Sequence, residues 1–146
     1  MTNTPFSELS RAFRARVVKT WIMSTEFSAA VGAEVLKDAG VKHDFVRREN
    51  PVLGSSLAGW AKDGHTPLWA SQSALVLLLE NNWTPVSHED WAGFSSIFIK
   101  IHRDAEFGIL LDSVPTSIDK DVAAGWLSAA IEEDARYRVS KKKVKI

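Results

Sequence analysis

The chain has 146 residues, the size of one ordinary domain, with 45% apolar and 25% charged residues, a balance that excludes a disordered segment. It has no cysteine, which removes disulfides, thiol catalysis, iron–sulfur clusters and thiolate zinc sites together. Net charge is zero but divided: residues 1–48 carry 8 basic against 5 acidic side chains, residues 49–135 carry 4 against 13, and residues 136–146 carry 6 against none. No apolar run approaches the roughly 20 residues of a membrane span, and the first residues lack the basic-then-apolar order of a signal peptide. A cytoplasmic protein, or one in a host cytoplasm, is expected.

Thr4-Pro5 pairs a capping residue with the imino acid that fits the first helical position. A short helix to Phe13 follows. From Arg16 to Met23 apolar and polar residues alternate, with β-branched side chains and Trp21, and this predicts a strand. A single helix from Pro5 to Met23 is the rival reading. Ser24 or Thr25 is placed to cap a helix whose apolar face is Phe27, Val31, Val35 and Leu36. Gly40 stands where a helix end favours positive φ, and Val41 to Val46 reads as a second strand. Val17 to Val46 thus predicts a strand–helix–strand unit with a right-handed crossover.

Residues 49–66 are broken by Pro51, Gly54, Gly59 and Gly64, with a short helix around Leu57 to Ala61. Thr66-Pro67 opens a helix to about Asn81 whose second half is apolar all round and so buried on more than one side. Ser87 to Asp90 resembles a capping box and predicts one helical turn ending at Gly93. Ser95 to His102 alternates cleanly, and with Phe107 to Leu111 it predicts a β-hairpin. Ile118, Val122, Ala123, Trp126, Leu127, Ala130 and Ile131 form a helical stripe, with Asp119 and Asp121 in its first turn. Tyr137 to Val139 predicts a last strand. The sum is a single α/β domain (α+β as the variant) over residues 1–139. It has a mixed four- or five-stranded sheet, and a basic tail follows over residues 140–146.

There is no phosphate-binding loop, no dinucleotide fingerprint, no zincin motif and no nucleophile elbow. No cofactor or metal site is read. Two triplets hold an imidazole two residues from a carboxylate, His88-Glu89-Asp90 and His102-Arg103-Asp104. These groups suit acid–base work near neutral pH and also ligate divalent metals. Capping and turn formation are the favoured explanation of both triplets. Trp60, Trp69, Trp83 and Trp91 crowd the least regular stretch, and tryptophan is enriched at interface hot spots. Trp21 and Trp126 are assigned to the core. Arg11 and Arg14 near the start join Arg136, Arg138, Lys141, Lys142, Lys143 and Lys145 near the end as a basic set, one patch if the two ends meet.

The leading expectation is a non-enzymatic binding or regulatory protein that docks a macromolecule, a protein first, through its tryptophans and basic termini. A small hydrolase or transferase built on His88, Asp90, His102 and Asp104 is the first alternative. Nucleic-acid binding through the basic ends is the second.

Overall fold

The computed structural model describes the backbone of residues 4–144 and the side chains of residues 4–139. Every regular element among them is a helix: α1 Pro5–Met23, α2 Ala29–Lys42, α3 Gly54–Asp63, α4 Leu68–Glu80, α5 His88–Ile101, α6 Phe107–Asp112 and α7 Lys120–Val144. The α/β expectation and its sheet are therefore wrong. So are the strand–helix–strand unit, the hairpin, and the strands at Arg16–Met23, Val41–Val46, Ser95–His102, Phe107–Leu111 and Tyr137–Val139. None of the described helices is long and apolar enough to cross a membrane.

The errors have physical causes. In α1 the buried side chains are Phe13, Val17, Val18 and Trp21, spaced as one helical face. The apparent alternation needed Lys19 and Met23 on the buried side, and both are exposed. Thr4 and Ser7 start the helix by reciprocal capping, each hydroxyl accepting the other's backbone N–H at 3.0–3.1 Å. Ser24 and Thr25 do not cap α2. Their hydroxyls donate back to the carbonyls of Trp21 and Ile22 and close α1, while Ser28 caps α2.

Gly40 lies inside α2 and is buried. The left-handed residue is Asp44, at φ 61°. The Asp44 and Phe45 amides donate to the carbonyls of Val41 and Gly40, a Schellman ending that consumes the expected second strand. Asn82 (φ 64°) ends α4 the same way, with Asn82 and Trp83 donating to Leu79 and Leu78. The capping box at Ser87 and Asp90 is present, but its helix runs through Gly93 to Ile101. There Phe94, Ile97 and Phe98 make one buried face. Burying such a side chain is worth about 1.5–3 kcal/mol. That outweighs the β preference of three isoleucines, a scale spanning only about 1 kcal/mol.

The chain divides into two compact units. One holds residues 1–11 and 84–146; the other holds residues 12–83, so α1 contributes to both. In the second of these, α2 packs on α3 and α4. All six residues from Ala70 to Leu75 are buried, so α4 is enclosed on every face over its first half, not its second. Ser71 and Ser73 tolerate this because their hydroxyls donate to the carbonyls of Leu68 and Trp69 at 2.7 Å. In the other unit, α5 and α6 pack on α7. Asp119 caps α7, accepting the amides of Asp121 and Val122. Of the stripe expected on α7, Ile118, Ala123, Leu127 and Ala130 are buried, while Val122 and Ile131 are more than two-fifths exposed.

Candidate functional site

Trp21 is 1% exposed, but the other five tryptophans each keep part of the ring in solvent. Trp126, assigned to the core from sequence, is among these five. The partly open rings are paired with other aromatic side chains. In the unit of residues 12–83, Trp60 meets Trp69 edge-on at 6.1 Å, and the Arg48 guanidinium lies 5.8 Å from the Trp69 ring centre. The Arg48 Nε donates to the Asn50 carbonyl at 3.0 Å. The Schellman turn delivers Trp83 onto Phe13, at 5.7 Å. In the other unit Trp91 stacks on Trp126 at 6.4 Å and 10°, with His88 and Phe6 also against Trp126. The four tryptophans singled out from sequence thus fall in three separate pairings. Arg48 was missed, because nothing in Arg47-Arg48 marks which guanidinium will cover a ring.

The two imidazole–carboxylate triplets occupy opposite ends of α5. His88 is its first residue and His102 its C-terminal cap, about 21 Å apart at helical rise. Asp90 accepts the amides of Val86 and Ser87. Asp104 holds a left-handed turn at φ 62°. The four side chains do not share a centre. Among the described residues no group of three or more histidines or carboxylates could hold a metal ion, and no buried polar side-chain atom lacks a partner.

His102 lines a cleft of about 460 Å³ with Lys100, Arg103, Asp104, Asp134 and Arg138 around it and Ile99, Leu110 and Ile131 in its walls. Burial pushes the His102 imidazole below the usual histidine range. Its ring packs 4.5 Å from Phe98. Arg138 bridges Asp134 at 3.1 Å.

The basic set separates. Arg14 is spent on structure: its Nε donates to the Thr66 carbonyl at 3.0 Å, and burial lowers its pKa. Arg11 is exposed and lies in the other unit. Within that unit the start of α1 reaches α7, since the Thr4 hydroxyl donates to the Glu133 carboxylate at 3.0 Å. Arg136 pairs with Glu132 and Glu133. The side chains of Lys141, Lys142 and Lys143, and all of Lys145, lie outside the described residues. Compared with protein-family models, curated proteins and solved structures, the chain gives no match.

Proposed function

We propose that this chain is a non-enzymatic binding protein that docks a protein partner through Trp60, Trp69 and Arg48. The observation that supports the reading is the partly exposed Trp60–Trp69 pair with the Arg48 guanidinium beside the Trp69 ring. Tryptophan and arginine are the side chains most enriched where truncation costs binding. A ring that is half-buried and braced by neighbours loses little further freedom when a partner covers it. The acid–base alternative gains no support, because its four residues sit at the two ends of α5.

The test is affinity capture from nuclease-treated extract of the native cell, using the full chain and its Trp60→Ala and Trp69→Ala variants. The variants are first checked for unchanged helical circular dichroism. The expected result is one stoichiometric protein partner, held by the parent chain and weakened at least tenfold by either variant. A partner retained equally by both variants, or no stoichiometric partner, overturns the reading.

A further inference from the structure

Helix α7 outlasts the helix it packs on. α5 ends at Ile101, and the left-handed Asp104 (φ 62°) turns the chain away into α6, while α7 runs on to Val144. The cleft of about 460 Å³ at the end of α5 opens there, a size that suits a small ligand. All of its lining belongs to one compact unit. Ile131, Asp134 and Arg138 supply one side, and their three- and four-residue spacing puts them on a single face of α7. Ile99, Leu110 and Ile131 make its walls aliphatic. Ile131 is 42% exposed, so a large apolar side chain is left open beside the cleft.

Charge in the cleft is unequal. Lys100, Arg103 and Arg138 stand against Asp104 and Asp134, a surplus of one positive charge. The His102 imidazole, pushed below the usual histidine range by burial, is neutral at neutral pH and leaves that balance unchanged. Asp134 and Arg138 are spent on each other at 3.1 Å. Lys100 is already engaged within the protein. Arg103 is exposed, and its guanidinium has no ion-pair partner among the described residues. It is the cation that can meet a ligand without breaking an existing pair.

We propose that this cleft binds the carboxylate form of a medium-chain aliphatic acid, with the head on Arg103 and the tail along Ile99, Leu110 and Ile131. A planar guanidinium matches a carboxylate with two parallel N–H donors. Aliphatic walls cover a saturated tail and give nothing to a bare inorganic anion. An aliphatic amine has the wrong sign for the surplus charge, and an alcohol of the same length leaves Arg103 unused. The proposal is independent of protein docking, since Arg48, Trp60 and Trp69 belong to the other unit.

The experiment titrates the full chain with sodium octanoate at neutral pH and follows proton–nitrogen correlation spectra. The expected result is saturable movement confined to amides around residues 99–105, 110 and 131. Octanoate is expected to bind about fivefold more tightly than octanol, the gain from one solvent-accessible ion pair. A methylene half covered by the walls is worth about twofold, so hexanoate binds about fourfold more weakly than octanoate. Arg103→Gln is expected to abolish the preference for octanoate and to leave octanol binding unchanged. Ile131→Thr is expected to weaken octanoate and octanol to the same degree. Both positions are exposed, and unchanged helical circular dichroism checks each variant's fold. Trp60→Ala leaves octanoate binding intact. Shifts that spread over the whole chain, or none up to about 10 mM octanoate, overturn the proposal. So does tighter binding of octylamine than of octanoate, or a preference for octanoate that survives Arg103→Gln. Parent affinity in Ile131→Thr overturns the placement of the tail.

Discussion

Replacing Gly40 by alanine sets two effects of known sign against each other. Alanine in a helix interior gains about 0.5–1 kcal/mol over glycine. At Gly40, however, a new Cβ would lie 2.9 Å from the Ser73 hydroxyl oxygen, 2.9 Å from a Val46 methyl and 3.2 Å from the Trp69 ring. None of these yields freely. Ser73 is hydrogen-bonded to the Trp69 carbonyl, and the Trp69 ring is braced by Trp60. Forcing a methyl into such a site costs about 1–3 kcal/mol, so the net expectation is a loss of about 1–2 kcal/mol. Gly59 and Gly125 are the controls. They too lie in helices, but a Cβ there meets nothing within 4 Å, so alanine should stabilise each by about 0.5–1 kcal/mol. Urea unfolding followed by circular dichroism at 222 nm reads all three as midpoint shifts at constant slope. Gly40→Asn separates crowding from backbone strain. Asparagine tolerates a left-handed helix end, but it is larger than alanine and should cost more at a buried crossing. Stabilisation by Gly40→Ala, or a milder effect of asparagine than of alanine, refutes the close packing of α2 on α4.

Two further predictions concern α5. Ser87→Ala and Asp90→Ala each remove half of the capping box and should each cost about 1 kcal/mol in thermal or urea unfolding. The two losses should fall short of adding in the double variant, because the side chains serve one helix end. His102 predicts a pH dependence. Burial lowers its folded pKa below the unfolded value, so its contribution to stability is present above the unfolded pKa and is lost as pH falls toward the folded one. Asp104 and Asp134 in the same cleft favour the charged imidazole, while Lys100, Arg103 and Arg138 oppose it. His102→Gln should therefore flatten the stability profile between pH 7 and 5, and an unchanged profile would remove His102 as a contributor.

The sequence carried the helix starts far better than the helix lengths. Thr4-Pro5 and Ser87 to Asp90 were legible because capping is local: a hydroxyl or carboxylate meets an amide three residues away. At Thr66-Pro67 a helix does start, but Pro67 is the cap residue and the Thr66 hydroxyl donates to the Ala15 carbonyl instead. The ends misled because an internal glycine looks the same whether it stops a helix or lets another element approach. Gly40 and Gly93 were read as the first and act in helix interiors, while Asp44 took the left-handed position after α2; the end of α4 at Asn81, by contrast, falls where the sequence places it. Where Val17–Met23 and Ile97–Ile101 alternated, a two-residue period and a 3.6-residue period agree over so short a run. Only the neighbours break the tie. Phe94, three residues upstream of Ile97, extends the helical face and not the strand face that holds Ile97, and in α1 the adjacent Val17 and Val18 are both buried, which a half-buried strand does not allow.

The candidate sites show the same division between local and long-range information. The basic run after residue 135 was visible as composition, but the exposure of residues 135–139 depends on where the packing against α7 stops. The tryptophans were visible as a cluster in sequence and are not one in space. Helices α3 and α4 bring Trp60 to Trp69, and the turn after α4 turns Trp83 onto Phe13. Trp91, eight residues beyond Trp83, finds its partner 35 residues further along at Trp126. His102-Arg103-Asp104 drew notice for its imidazole and carboxylate. Once the residues are placed, Asp104 shapes a turn and Arg103 supplies the accessible charge. A side chain that is spent on a cap or a tight turn satisfies the backbone first. What remains accessible to a ligand is chemistry the backbone did not need, such as the exposed Arg103 guanidinium and the partly open indole rings.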